Sequence, residues 1–163
     1  MGFADSYLGR LRAAMGSAAL LSIGVRVLVE DDRGRFLILK RSDGAGWGLP
    51  GGGMEPGESL LDTAHRESFE EANVRLGCLT PFALSSDPAR ERYTYPNGDE
   101  VQFVSLMVHG TFAGGSLASN DGEALAFRFM VEDEIDMTTL VAPERPVFGL
   151  WRRYRETGAF QVV

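Results

Sequence analysis

Cysteine is almost missing from this chain: Cys78 is its single cysteine, so no internal disulfide can form and nothing points to an oxidising compartment. Long apolar runs are missing too. None reaches the roughly 18 residues that a membrane-spanning helix needs. The stretch 13–25, which follows Arg10 and Arg12, weakly imitates a secretory leader, but it runs into Arg26 and a strand pattern with no small-residue cleavage site. Positive charge is scarce: 16 Lys and Arg stand against 23 Asp and Glu, for a formal net charge of −7 and a pI of about 4.8. With no basic run to release counterions from a phosphate backbone, long nucleic acid is a poor partner. An anionic small molecule would instead be met by a metal and a few local arginines. Repeats and low-complexity segments are also absent. What remains is a chain of 163 residues, 44% hydrophobic, which is the size of one domain, 1–163, with a real core. A cytoplasmic protein that neither crosses nor rests on a membrane is the expectation.

Periodicity sets out the elements. Residues 4–15 read as an amphipathic helix carrying Tyr7, Leu8, Leu11 and Met15 at helical spacing, within an N-terminal extension over 1–20. That helix would pack on the domain or on a second copy, which leaves a homodimer open. Leu21, Ile23, Val25, Val27 and Val29 alternate as in a strand, and Asp31 to Gly34 turn it into a second apolar run over 35–40. Residues 42–46 read as a loop, and 47–53 bring backbone close to a following helix. Further strands are expected at 75–84, 92–95, 100–112 and 123–131, with Pro96-Asn97-Gly98-Asp99 as a hairpin turn and 85–91 and 114–122 as loops. A terminal helix over 143–157 would carry Phe148, Trp151 and Tyr154 on one side. The result is an α/β chain with a mixed sheet.

The informative stretch is 52–74. Ser59 is a good N-cap, and Asp62 stands three residues on, a variant of the capping box, so 60–72 should be helical. Asn73 can take the left-handed conformation that often follows a last turn. At about 100° per residue, Leu61, Ala64, Ser68 and Ala72 form a packing stripe, with Glu67, Glu70 and Glu71 together on an arc beside it. Acidic helix faces are usually only solvated. These three carboxylates, however, lie in the second half of the helix, where the macrodipole opposes them. A local rule broken in this way points to function. Hard oxygen donors in that number favour Mg²⁺ or Mn²⁺, and the glycine-rich loop before them suits a phosphate.

This segment resembles the signature of the Nudix hydrolases, which runs Gly, five residues, Glu, seven residues, Arg-Glu, an aliphatic, any residue, Glu-Glu, any residue, Gly, and an aliphatic. Gly52, Glu58, Arg66, Glu67, Glu70, Glu71 and Val74 match in register. Ser68 stands in place of the aliphatic and Asn73 in place of the glycine. Neither touches the chemistry, since Ser68 is small enough for a buried stripe and Asn is the next best left-handed residue. The resemblance covers about 21–136. It implies a Nudix-type α/β/α sandwich with a mixed β-sheet and a loop-helix-loop catalytic motif at 52–74.

It also implies an activity, the Mg²⁺-dependent cleavage of a diphosphate bond in a nucleoside diphosphate derivative by an activated water. By resemblance the metal ligands are Glu67, Glu70 and Glu71 with a backbone carbonyl of the glycine loop, taken as Gly52. Glu58 would accept hydrogen bonds from Arg66 and steady Glu67. Arg66 itself would be an ion-pair partner more than a substrate contact. The general base is open among Glu67, Glu70 and Glu123, the last opening a strand after a glycine loop. Arg41, Arg90 and Arg92 could meet phosphates, and Trp47, Tyr93, Tyr95 and Phe103 could stack a base. Pro88 lies 14 residues past Val74 and Tyr93 lies 19 past it; each nearly meets a position that marks ADP-ribose or diadenosine polyphosphate hydrolysis in such families, and neither assigns the substrate. His65 and His109, the two histidines, read as structural, and Cys78 as a small buried hydrophobe on the strand after the helix.

Two other functions share the resemblance. A catalytically silent nucleotide sensor would tend to lose the acids, and this chain keeps them. An isopentenyl-diphosphate isomerase-like enzyme would use a cysteine on the opposite side of the site, whereas Cys78 follows the helix.

Overall fold

A computed structural model describes residues 3–95 and 97–163; Met1 and Gly2 of the expected extension and Pro96 of the expected turn lie outside them. The chain runs α1 (Tyr7–Met15), β1 (Leu20–Glu30), β2 (Phe36–Arg41), β3 (Trp47–Gly48), β4 (Gly51–Gly53), α2 (Leu60–Ala72) and β5 (Val74–Ser85). It continues through α3 (Pro88–Glu91), β6 (Arg92–Thr94), β7 (Glu100–Gly115), β8 (Ala124–Met130), α4 (Pro146–Thr157) and β9 (Gln161–Val162). No helix among the described residues is long and apolar enough to cross a membrane.

The sheet is mixed. Its main path is β3-β2-β1-β7-β5-β9, with β4 beside β1, β6 beside β7 and β8 beside β2. β1 and β7 are parallel from Leu20↔Val101 to Glu30↔Thr111, which requires the long crossover that carries α2. β5 is antiparallel to β7 and parallel to β9.

Strand alternation builds two cores, one on each face. Val25, Val27 and Val29 of β1 and Leu37 of β2 join Ala64 and Ala72 of α2 in one cluster. The residues between them, Leu28 of β1 with Phe36 and Ile38 of β2, join Phe82, Phe148 and Trp151 in the other, under α4. Together they make the α/β/α sandwich. On α4, Phe148 meets Phe36 edge-on at 5.6 Å, and Trp151 lies 5.2 Å from Phe82.

Two expectations for individual side chains fail. Leu61 is 38% exposed, although Ala64, Ser68 and Ala72 of the same stripe are buried. It sits in the first turn of α2, where Leu60 reaches the apolar cluster instead. Cys78 is exposed, not buried. The β5–β7 register shifts between Leu76 and Leu79, and inside that irregularity the Cys78 amide bonds the Thr111 hydroxyl at 2.9 Å.

Smaller differences arise at element ends. The segment 85–91 contains α3, capped by the Asp87 side chain on Ala89 N, and 161–162 adds β9. The terminal helix begins at Pro146 after a 3-10 turn over Ala142–Glu144. β7 runs on to Gly115, and Glu123 lies just before β8. His65 is exposed. His109 is buried between Glu30, 2.7 Å from its Nε2, and the stacked ring of Trp151 at 4.1 Å.

Candidate active site

The site begins with two local features of α2. Ser59 and Asp62 exchange side-chain and backbone hydrogen bonds as a full capping box, and Asn73 ends the helix at φ 52°. With both ends fixed, Glu67, Glu70 and Glu71 are held in one rotational arc above the glycine strand β4. That strand lies flush against β1: a Cβ on Gly24 would come 2.2 Å from the Gly52 carbonyl oxygen, so the close approach requires glycine.

Arg66 joins loop to helix. Its Nε and Nη2 donate to the two carboxylate oxygens of Glu58 at 2.5 and 3.0 Å, Nη1 donates to Glu67 Oε1 at 2.8 Å, and Nη2 also donates to the Gly53 carbonyl at 2.8 Å. Glu70 stands 3.6 Å from Nη1. Glu58 further accepts from Thr63 Oγ1 and Glu55 N, and the Arg66 guanidinium holds its carboxyl below the usual range. Glu58 and Arg66 thus form the brace between the two halves of the motif.

The remaining carboxylates behave differently. Burial pushes Glu67 up to about 7, against the pull of Arg66 and with the charges of Glu70 and Glu123 adding to the rise. Glu71 is buried and is pushed well above its ordinary value by burial, although Gly51 N donates to its Oε2 at 2.9 Å. Across the cleft Asp121 accepts from Glu123 N at 2.9 Å. Glu123 is raised by its partly enclosed position and then by Asp121.

Glu67, Glu70, Glu71, Asp121 and Glu123 line one cleft of ≈ 630 Å³ together with Arg41 and the glycines of β4. Among the described residues no group of three acidic, histidine or cysteine side chains is placed so that it could by itself hold a metal ion. Arg41 is paired with Asp43 at 2.6 Å, and Tyr95 and Phe103 also face the cleft.

The other expected substrate contacts lie outside this lining. Trp47 packs on the core beneath Arg128, whose guanidinium is 4.8 Å from its ring. Arg90 borders a separate shallow hollow beside Pro143. Arg92 pairs with Glu100, and Tyr93 meets Tyr95 edge-on at 4.8 Å. Cys78 does not line the cleft either.

Several residues that shape the cleft carry no local signal of it. Leu8 and Leu11 read only as helix packing, and Leu21 and Ile23 only as strand alternation. Glu144, in the 3-10 turn over Ala142–Glu144, is buried and accepts from Leu49 N at 2.6 Å, fixing the entry to β4 from 95 residues away; burial pushes its carboxyl up to about 7. Arg26 and the buried Glu91 form a part-buried two-pronged ion pair at 2.8 Å for each contact. Only the folded chain brings these partners together.

Comparison with known proteins agrees with the geometry. Residues 20–150 match the model of the NUDIX domain. The chain is 30% identical over 130 residues to the nucleoside triphosphatase NudI of Salmonella agona, covering 76% of this chain and 91% of that one. It is 31% identical over 101 residues to the NudI of Escherichia fergusonii, covering 58% and 71%. Among solved structures, an ADP-ribose pyrophosphatase from Streptococcus suis superimposes with a TM-score of 0.68 at 18% identity over 87% of this chain and 98% of that one. A NUDIX hydrolase from Nitrosomonas europaea gives 0.67 at 23% identity over 87% and 78%. At those identities the structural likeness speaks for the fold.

Proposed function

This chain belongs to the Nudix family of hydrolases acting on phosphorus-containing acid anhydrides, and we propose that it is a Mg²⁺-dependent pyrophosphohydrolase of nucleoside triphosphates. The observation that carries the reading is the cleft itself, in which the acidic face of α2, the glycine strand and Glu123 confront one another. The triphosphate class follows the relatives that align over most of this chain, both described as nucleoside triphosphatases.

The donor set fits Mg²⁺. Glu67, Glu70 and Glu71 offer hard oxygens, and burial raises Glu67 and Glu71 by disfavouring their charged forms, with neighbouring carboxylates adding to the rise, a cost that a bound cation would offset. An incomplete protein cage is what Mg²⁺ tolerates, since it is commonly held by one or two carboxylates with waters and substrate phosphates filling the rest. When bound, the ion supplies charge neutralisation at the phosphoryl oxygens and a more acidic water. Mn²⁺ satisfies the same donors.

The protein groups then divide the work. Glu58 and Arg66 hold Glu67 in place over β4. Arg41 meets the outer phosphates from the cleft wall. Glu123, free of the Arg66 brace and facing the α2 acids, receives a proton from the attacking water as its oxygen bonds phosphorus and the bridging P–O bond breaks. Burial and then Asp121 raise its proton affinity above that of an ordinary glutamate, the direction that favours a base.

Purified protein given a panel of nucleoside triphosphates, ADP-ribose and dinucleoside polyphosphates with Mg²⁺ should turn over the triphosphates best. Glu123→Gln should lower kcat roughly 100-fold or more while leaving KM close to its original value. No turnover of any compound would favour a silent binding protein.

A further inference from the structure

The cleft has a second end, which the acidic chemistry leaves unused. Leu21 and Ile23 occupy the same alternating row of β1 as Val25, Val27 and Val29, and that row is buried against α2 only from Val25 onward. Before that point the side chains are uncovered: Leu21 is 60% exposed and Ile23 47%. Two exposed aliphatics in the middle of a cleft call for an apolar occupant.

Helix α1 forms the facing wall, through Tyr7, Leu8 and Leu11. It is tied down at both ends. At its start, Tyr7 N donates to Glu55 Oε1 at 2.6 Å, and Arg10 Nη2 reaches Glu55 Oε2 at 3.2 Å. Near its end, Arg12 Nη2 donates to the Glu100 carbonyl at 2.9 Å, and its Nε lies 3.3 Å from Asp99. Phe103 and Tyr95 complete the lining with two aromatic faces.

The two ends are one continuous space. Met54 N donates to the Ile23 carbonyl at 2.8 Å, so the apolar row begins next to the glycine strand beneath Glu67. A substrate whose phosphates lie on the acids can therefore extend its organic group toward Ile23 and α1.

We propose that this apolar end seats the nucleobase of the substrate, with Leu11 of α1 and Ile23 of β1 as its two walls and specificity-determining residues. The inference rests on the nucleotide reading above. Aromatic faces beside a flat strand surface favour a planar ring over a flexible alkyl chain. Leu8 and Leu11 on one wall and Leu21 and Ile23 on the other supply shape and apolar contact, with α1 closing the side opposite the strand and the hydroxyl-bearing Ser6, Ser22, Tyr7 and Tyr95 also in the lining.

The test is equilibrium binding in Mg²⁺ of two probes, a nucleoside α,β-methylene triphosphate and base-free tripolyphosphate. It compares the full chain with Leu11→Arg and Ile23→Lys, which alter opposite walls at partly exposed positions. Each variant should bind the nucleoside probe roughly tenfold more weakly or worse, the loss of one apolar contact of ordinary size, and bind tripolyphosphate within about twofold of the parent. Melting temperatures should be unchanged. The proposal is overturned if both variants bind both probes as the parent does, if affinity for the two probes falls in parallel, or if the parent holds the nucleoside probe no better than tripolyphosphate. Turnover is measured separately: selective loss of nucleoside binding in a protein that hydrolyses no nucleotide would keep the base site and overturn the hydrolase.

Discussion

Gly52 lies directly beneath Glu67: a Cβ at position 52 would stand 2.3 Å from the Glu67 Oε1 atom and 2.4 Å from its carboxyl carbon. The clash falls on the far end of a flexible side chain, so the fold can absorb it while the carboxylate cannot keep its place. Gly52→Ala should therefore leave the melting temperature nearly unchanged and cut Mg²⁺-dependent turnover by roughly 10-fold to 100-fold, the usual cost of losing a group that orients a metal ligand. Gly53→Ala is the control, because a Cβ there meets nothing nearer than the Ser22 hydroxyl at 3.7 Å. Equal activity in the two variants would show that the glycine strand does not set the position of Glu67.

Glu144 makes stability depend on pH. Its folded-state value of about 7 stands above its ordinary 4.5, with burial the main cause, opposed by Leu49 N and the charges of Arg26 and Arg41. For a group raised on folding, the contribution to stability is fully present below 4.5 and is lost as pH rises to and through about 7. Urea denaturation in EDTA should give similar stabilities for the parent and Glu144→Gln near pH 4.5. The curves should separate above it, with the variant the more stable at pH 8. Parallel curves across that range would remove Glu144 from the pH response.

Ser68, where the family pattern has an aliphatic residue, is fully buried, and its hydroxyl has no hydrogen-bond partner among the described residues. A buried hydroxyl without a partner opposes folding. Ser68→Ala should match the parent or gain about 1 kcal/mol in urea denaturation. A loss of that size would mean that the hydroxyl is satisfied in solution.

Sequence signals of short range translated well into structure. α2 runs over the expected residues because its capping box and its left-handed Asn73 are both encoded within a few positions of its ends. The two faces of β1 could likewise be read from alternation. Failures came where the outcome depends on distant chain. Alternation places Leu21 and Ile23 on the inner face but does not say that the covering helix stops short of them. The register irregularity in β5 that turns Cys78 outward is a property of its pairing with β7. For Trp47 and Arg90 residue type suggests a ligand, while the tertiary fold turns one onto the core and the other toward a separate hollow. The Leu49–Glu144 and Arg26–Glu91 contacts close over 95 and 65 residues, beyond any local pattern.

The most direct measurement is the Mg²⁺ dependence of nucleoside triphosphate hydrolysis in the parent and in Glu70→Gln and Glu71→Gln. In the parent the rate should rise from nothing to saturation as Mg²⁺ is added. Both variants should fall roughly 100-fold or more at saturating substrate, with melting temperatures close to the parent's, as expected for loss of a metal ligand that acts on the transition state. Turnover unchanged in either variant, or turnover in the parent that persists in EDTA, would contradict the assignment of these carboxylates to a catalytic metal.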